Sequence, residues 1–407
     1  EAFMCASEKL PSWAQSDVVR HIFTAAAGLG GEARIVGGAV RDWLAGRAVG
    51  DIDMAVNLPI HAIADRLSQI QHIKVISTGL AHGTVTVVDA AQSIELTQTR
   101  SDVTTDGRHA VVEFQGDWAE DAARRDFTIN ALYLDAGGRL FDPLGGQADL
   151  AAQRLRFVGR ATDRVQEGAL RMLRYCRFSI DYNGAQYDQE AFEALRGFAP
   201  LAASLSGERV AQELRKILSN EHCAAAVGLF HETGLDQSAL GVGIDLGAIP
   251  STPEELRLVT AEHGWLVLFS AMIPQSALAS VLERLRLSRA EQKFCLQLVT
   301  SSTPQLFVEL TAPRWRQSAF FMYRRAAAIY ACAAWRLRGE FRADLYQQLQ
   351  QWQPPEFPLS GADLLSHGVD NGPALGQMLK NAESLWVQSD FTLTKSALLD
   401  AVMQRGK

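Results

Sequence analysis

The segment Gly50-Asp-Ile-Asp-Met-Ala-Val56 carries two carboxylates two residues apart and no Lys or Arg of its own. In an extended strand this spacing puts Asp51 and Asp53 on one face and Ile52 and Met54 on the other. Two adjacent acids without a cationic partner invite a divalent cation. Mg2+ suits donors that are all oxygen, because it keeps several waters and bridges to substrate phosphates. A polar strand end would show the same pattern, so the neighbouring residues decide. Nine residues before Asp51 ends the segment Arg34-Ile-Val-Gly-Gly-Ala-Val-Arg-Asp42, which reads as a buried strand, a two-glycine turn and the first turn of a helix. Gly37 and Gly38 lack Cβ atoms, so backbone amides there can approach a phosphate closely at a helix N-terminus, and Arg41 adds a charged donor. Following a phosphate cradle, the acidic pair Asp51 and Asp53 reads as a divalent-cation site in preference to a mere polar strand end.

A second set of residues is cationic. Arg171, Arg174 and Arg177 recur at three-residue spacing, which places them along one side of a helix that can face an incoming nucleotide. They belong to a run from Arg154 to Arg177 with seven arginines against Asp163 and Glu167. From Leu310 to Gly339 every charged residue is basic: Arg314, Arg316, Arg324, Arg325, Arg336 and Arg338, interleaved with Trp315, Tyr323 and Trp335. The whole chain carries a formal net charge of -7, which by itself argues against a nucleic-acid partner. Two arginine runs on an acidic chain argue for local phosphate contact over a merely solvated helix face.

Gly-Gly-x-Val-Arg-Asp followed by Asp-x-Asp resembles the nucleotidyltransferase superfamily whose simplest member is DNA polymerase β. More closely it resembles the class II tRNA nucleotidyltransferases, the CCA-adding enzymes, and the related bacterial poly(A) polymerases. The resemblance covers nearly the whole chain. Arg124-Arg-Asp-Phe-Thr-Ile-Asn-Ala131 matches the family's ribose-selecting motif, and Asp142-Pro-Leu-Gly-Gly-Gln-Ala-Asp-Leu150 with Leu155-Arg-Phe-Val-Gly159 matches its hinge motif. Glu208-Arg-Val with Glu213-Leu and Lys216 matches its last helix near the head, and His82-Gly-Thr-Val-Thr-Val with Glu95-Leu-Thr-x-x-Arg100 resembles the strand pair beside the catalytic carboxylates.

The resemblance implies template-independent addition of C, C and A to the 3′ end of tRNA from CTP and ATP, with Asp51 and Asp53 holding Mg2+ and pyrophosphate released. A poly(A) polymerase adding AMP to RNA 3′ ends is the alternative, and a non-catalytic RNA-binding descendant is a third reading. Gly38, Arg41 and Arg125 are then expected at the phosphates, and Asp126 and Asn130, one helical turn apart, at the ribose hydroxyls. Arg171, Arg174 and Arg177 are expected at the base and nucleotide. Glu95 is either a third acidic group or a structural partner of Arg100. Asp106 to Ala110 corresponds to the loop associated with switching from CTP to ATP, or else is a surface connection. At one position the chain departs from the family: Gly168 stands where an Asp accepts from the amino group of cytosine or adenine. As a helix-interior glycine it would cost about 1 kcal/mol relative to Ala. No His-Asp dipeptide occurs, so an appended metal-dependent phosphohydrolase domain is not signalled.

These residues need an α+β scaffold. Short β-branched runs predict strands at Ala33 to Val36, Asp51 to Val56, Lys74 to Ser77, Thr84 to Val88, Ser93 to Thr97 and Ala131 to Leu134. Beyond Gly145 the pattern is amphipathic helix, as in Glu167 to Ile180, Ser206 to Leu218, Ser276 to Leu287 and Leu375 to Val387. The expected organisation is a polymerase-β-like nucleotidyltransferase head at 1–150, followed by an all-helical neck at 151–219 and a helical body and tail at 220–407 that bind tRNA. Trp386 and Phe391 are read as packing residues rather than base-stacking platforms.

At 407 residues and 47% hydrophobic composition the chain has material for more than one core. Glu1 to Leu10 lacks the basic and apolar run of a secretory signal, and export is not expected. His263 to Leu282 is the longest uncharged stretch, but Pro274, Gln275 and several serines make it a pair of buried helices rather than a membrane span. The cysteines are five, scattered and without a Cys-x-x-Cys, which fits a reducing, cytoplasmic setting.

Overall fold

The structure is a computed structural model that describes residues 9–77, 79–80, 83–90, 92–105, 110–114, 117–182, 187–259, 264–322 and 325–405. His82, residues 106–109 of the expected switching loop, Tyr323, Arg324 and the Arg100 side chain lie outside the described residues. The chain divides into two compact units, Glu1–Leu205 with Glu232–Leu235, and Ser206–His231 with Asp236–Lys407.

The first unit is built on strands β1 (Ala33–Val36), β2 (Asp53–Val56), β3 (Lys74–Ile76), β4 (Thr84–Val88), β5 (Ser93–Gln98), β6 (Arg100–Thr105), β7 (Ala110–Phe114), β8 (Tyr133–Leu134) and β9 (Leu140–Phe141). Its helices are α1 (Asp17–Gly28), α2 (Gly38–Leu44), α3 (Ile60–Ser68), α4 (Trp118–Ala123), α5 (Gly146–Ala151), α6 (Ala161–Glu167), α7 (Leu170–Tyr182) and α8 (Gln189–Phe198). Seven strands form one sheet in the order β3-β4-β5-β2-β1-β8-β9, while β6 and β7 pair as a separate ribbon. Only β2 and β5 run parallel. The period of two in these strands buries one side fully. Ile35, Met54, Val56, Val85, Val87, Ile94 and Leu96 pack with Val18, Val19 and Ile22 of α1 and Ile60, Ile63 and Leu67 of α3. On the other side Val36, Ala55 and Tyr133 pack with Trp118 and Ala122 of α4, and Asp53 and Glu95 open to solvent.

Three strands are shorter than their sequences suggest, β3 by the single residue Ser77 and β2 and β8 by two residues each. β2 begins at Asp53, because its partner β1 ends at Val36, opposite Asp53, and then turns away at Gly37 with φ +73°. β8 covers only Tyr133–Leu134, because Thr128–Asn130 form a 3-10 turn just before it. The ribbon of β6 and β7 and the short β9 lie outside the strands that the sequence predicts.

Past the sheet, Asp142 caps α5 through the backbone N–H groups of Gly146 (2.7 Å) and Gln147 (3.0 Å). A Cβ on Gly146 would stand 2.3 Å from the Thr128 carbonyl oxygen, so this turn accepts only glycine. Buried Asp149 accepts from Thr128 Oγ1 at 2.6 Å, Arg154 Nε at 2.7 Å and Arg156 Nε at 3.0 Å. Burial opposes its ionisation, yet these hydrogen bonds hold its carboxyl below the usual range. Phe127, Phe157, Tyr175 and Phe178 form an aromatic cluster with ring centroids 5.0 to 5.9 Å apart, joining the 124–131 motif to α7.

The second unit is helical. Gly264–Met272 is buried on every side and packs against helices Arg289–Ser301 and Ala326–Arg336. Pro274 starts the next helix, Gln275–Arg284, which gives the expected helix pair with its break at the proline. Among the described residues no helix is long and apolar enough to cross a membrane. Trp386 packs on Phe320, Phe357 and Phe391 in a core with Leu364, Leu398 and Val402.

Without the Asp149 carboxylate the buried Thr128 hydroxyl loses its acceptor and a void opens, while the partly exposed Arg154 and Arg156 turn to water. Asp149→Ala should cost the first unit about 2 kcal/mol. A urea titration should show a lower midpoint than wild type; an unchanged midpoint would mean that the Thr128 hydroxyl finds another acceptor.

Candidate active site

Asp53 stands at the start of β2, in register with Glu95 on β5, so neighbouring parallel strands present the two carboxylates on the same face. Asp51 precedes the strand but keeps the alternation: Asp51 and Asp53 are exposed, whereas Ile52 and Met54 are buried. The Asp53 carboxyl is pushed up to about 6, by partial loss of solvent first, then by Glu95 and Asp51, with Arg125 opposing. The acids form a field of like charge with an incomplete counterion. Among the described residues no three or more His, Cys, Asp or Glu side chains form a ready-made metal site. A carboxylate pair open to solvent nevertheless fits a hard cation that takes its other oxygens from water and phosphate.

Beside the acids, Gly37 turns the chain from β1 into α2 with positive φ, and its N–H donates to the Leu132 carbonyl at 3.1 Å. No side chain caps the start of α2 at Gly38. Arg41 is 9% exposed and engaged: Nη1 donates to Asn130 Oδ1 at 2.6 Å, and Nε and Nη2 donate to Asp42 at 2.9 and 3.0 Å. Its guanidinium also lies over the rings of Phe178 and Tyr182.

Asp126 and Asn130 meet through a bend and a 3-10 turn rather than the α-helical turn that their spacing suggested, with Asn130 Nδ2 donating to Asp126 Oδ1 at 3.0 Å. Asp126 also accepts from the Phe127 N–H at 2.9 Å and from Arg174 Nε at 2.7 Å and Nη2 at 2.6 Å. Burial works against its charge, but Arg174 and these donors keep its carboxyl below the usual range. Arg125 donates through Nε and Nη2 to Asp121 and through Nε to the Tyr133 hydroxyl. Its Nη1 lies 3.7 Å from where a Cβ on Gly37 would be. Asp121 and Tyr133 were missed from sequence; the available signal was an acid three and four residues ahead of Arg124 and Arg125, the spacing of ion pairs at a helix end.

Arg171 forms a separate cluster, donating to Glu167 at 2.6 Å and to the carbonyls of Arg164 (2.9 Å) and Arg124 (3.0 Å). Arg177 lies over Phe178 at 4.2 Å. Gly168 is not inside a helix, which corrects the expected cost. It follows α6 in extended conformation (φ −167°, ψ 103°) and separates that helix from α7, and a Cβ there would meet nothing within 4 Å.

The arginine runs also look different in space. Arg154 and Arg156 pair with Asp149, Arg160 with Asp163, Arg164 and Arg171 with Glu167, and Arg174 with Asp126. In the second run Arg336 donates to the carbonyls of Ser270 (3.2 Å) and Ile273 (2.9 Å), Arg338 pairs with Asp245 and Arg325 bonds Gln297. Arg314 and Arg316 are exposed, and Arg314 lines a groove of about 810 Å³ with Gln317, Ser318 and Phe321.

Three family models match the chain: the poly(A) polymerase head domain at 33–156, an RNA and SrmB-binding site of polymerase A at 186–239, and domain 2 of tRNA nucleotidyltransferase at 256–402. The chain is 34% identical to the mitochondrial CCA tRNA nucleotidyltransferase 1 of Mus musculus, over 91% of this chain and 86% of that protein. It is 30% identical to the CCA-adding enzyme of Levilactobacillus brevis, over 97% and 99%. Its structure is similar to that of the Bacillus stearothermophilus CCA-adding enzyme in complex with CTP, with a TM-score of 0.73, 25% identity and 98% of each chain covered. A mitochondrial name among these relatives means that likeness to them does not fix a cytoplasmic location.

Because the Asp53 carboxyl sits near 6 in the fold against an ordinary 3.8, the folded chain holds its proton more tightly than the unfolded chain. Through this group, stability falls as pH rises towards 6, and the deficit persists above it. In EDTA, Asp53→Asn should therefore melt higher than wild type above pH 6, with the gap closing towards pH 4. Scanning fluorimetry across that range tests this, and a variant that melts lower at pH 7.5 would contradict it.

Proposed function

This chain belongs to the CCA tRNA nucleotidyltransferase family, and we propose that it adds C, C and A to the 3′ end of tRNA from CTP and ATP, with Mg2+ at Asp51 and Asp53. One observation carries the reading: Asp53 and Glu95 stand side by side, with Asp51 adjacent, at the Gly37 turn and under the influence of Arg125. The poly(A) polymerase reading has the whole-chain relatives against it, since those spanning most of the chain are named for CCA addition. Nucleotidyltransferases of this kind generally use a divalent metal, and bound Mg2+ would lower the pKa of the primer 3′-hydroxyl and neutralise the triphosphate.

The chain's own residues orient the reactants. In the transfer the primer 3′-hydroxyl loses its proton to water, its oxygen bonds to the α-phosphorus, and the bond from that phosphorus to the oxygen bridging the α- and β-phosphates breaks to release pyrophosphate. Arg125 donates from Nη1 to the triphosphate, at the turn where Gly37 and Gly38 let phosphate approach. Asn130 keeps one amide N–H for the ribose hydroxyls, and Asp126, which already accepts from four donors, serves the ribose by orienting that amide. Arg41 acts on the nucleotide by holding Asn130, and Arg174 by holding Asp126. Arg171 serves the base, and Arg177, about two turns further along the same helix, serves the nucleotide. The head is assigned to 1–150, the base-reading neck to 151–219 and the tRNA-binding body and tail to 220–407. Arg314 and Arg316 supply sequence-independent contact to RNA phosphates. The four cysteines among the described residues are free and buried, which suits a reducing compartment such as the cytoplasm.

Incubation with CCA-lacking tRNA and each labelled nucleotide in turn tests the function. CTP should label first, ATP only after two C residues, and UTP and GTP poorly; long tails from ATP alone would favour the poly(A) reading. Asp51→Ala and Asp53→Ala should each lower kcat by more than about three orders of magnitude while leaving the fold intact. Near-normal turnover in either would overturn the assignment.

Gly168 gives a further outcome. Without a carboxylate acceptor for the exocyclic amino group, discrimination loses about 1 to 3 kcal/mol. The extended backbone and open space admit Asp at this position. Gly168→Asp should therefore misincorporate less UTP and GTP than the wild type, and equal fidelity would mean that another group accepts from the base.

A further inference from the structure

We infer that Asp121, with Tyr133, is a positioning residue for nucleotide transfer: it fixes the Arg125 guanidinium so that Nη1 faces the Gly37 turn. The inference rests on the reading of Arg125 as a phosphate donor.

Asp121 is 1% exposed although charged. Its Oδ2 accepts from Arg125 Nε at 3.2 Å, Arg125 Nη2 at 3.0 Å and the Tyr133 hydroxyl at 2.8 Å, and its Oδ1 accepts from Arg124 Nε at 3.0 Å. Burial opposes the charge, but Arg125, Arg124 and Tyr133 together hold this carboxyl below the usual range. The Tyr133 hydroxyl accepts from Arg125 Nε at 3.0 Å while donating to Asp121, which closes a ring of hydrogen bonds. A guanidinium is planar, so occupying its Nε and Nη2 edge fixes where Nη1 points. Among the described residues Nη1 has no hydrogen-bond partner, and the Gly37 turn is beside it.

The ring of Tyr133 is itself immobilised. It meets Trp118 edge-on at 5.7 Å and Phe141 at 5.9 Å, and the Arg34 guanidinium lies over those same rings at 4.3 and 4.7 Å. Trp118 is tied in turn to Glu32 through its indole N–H at 3.0 Å. An arginine needed only for folding would not require one edge clamped and the other left open. The arrangement is that of a donor prepared in advance for an anion, so that none of its orienting cost falls on the reaction.

The test compares Asp121→Asn, Arg125→Met, the double variant and Tyr133→Phe in the full chain, each shown folded by circular dichroism. The readouts are kcat, KM for CTP, KM for CCA-lacking tRNA, and inhibition by inorganic pyrophosphate. Asp121→Asn should raise the KM for CTP by about 10- to 100-fold and weaken pyrophosphate inhibition alike, with the KM for tRNA changed by less than about twofold. The double variant should be no worse than Arg125→Met, since a positioning residue acts only through its partner. Tyr133→Phe, which keeps the ring, should show a smaller rise in the same parameter. Additive effects, or a folded Asp121→Asn with a wild-type KM for CTP, would overturn the inference. If Asp121→Asn does not fold, an unchanged KM for CTP in Tyr133→Phe overturns it instead. If Arg125→Met itself leaves CTP and pyrophosphate binding unchanged, the failure lies in the phosphate role of Arg125.

Discussion

The ion pair between Asp126 and Arg174 is the joint on which the site depends. It ties the segment after α4 to helix α7, 48 residues further along the chain, and it does so at a carboxylate that also receives Asn130 and a backbone N–H. A nearly buried carboxylate is expensive to ionise unless donors surround it, so the donors and their parent elements must come to it. Arg41 then reaches Asn130 from α2, and Asp42 and the hydroxyl of Tyr182 extend the chain of hydrogen bonds back to α7. The 124–131 motif, the glycine turn and the arginine helix are thereby placed relative to one another within the first unit.

The same unit uses carboxylates in two opposite ways. Asp121, Asp126 and Asp149 are enclosed by arginine, hydroxyl and amide donors and remain anionic at ordinary pH. Asp53 is left with Glu95 and Asp51 for company, and its proton affinity rises accordingly. That contrast separates acids neutralised within the fold from acids that are not. It also carries a stability cost, of the kind expected where like charges are held together for function.

Glycines mark the places where backbone must come close or turn. Gly37 adopts positive φ between β1 and α2, and Gly146 leaves no room for a Cβ against Thr128. Gly168 is different, because its conformation suits any residue and nothing crowds it. No steric demand explains glycine there.

Much was legible in the residues themselves. The strands at 33–36 and 84–88, the alternation of Ile52 and Met54 against Asp51 and Asp53, and the break at Pro274 follow from side-chain period and backbone restriction, which are local properties. The family motifs were legible for the same reason, being short segments with fixed spacing. What only the tertiary structure decided is who neutralises whom. The arginine run at 154–177 looks unpaired along the chain, yet Asp126 and Asp149, which precede it in sequence, reach Arg174, Arg154 and Arg156 in space. Arg336 and Arg338 are likewise occupied by carbonyls and by Asp245, so an acid-free stretch of sequence is not an acid-free surface. The start of β2 and the extended backbone at Gly168 were settled in the same way, by where a partner strand ends and where a second helix begins. Charge and hydrogen-bond satisfaction act over distance in space, and distance along the chain does not report it.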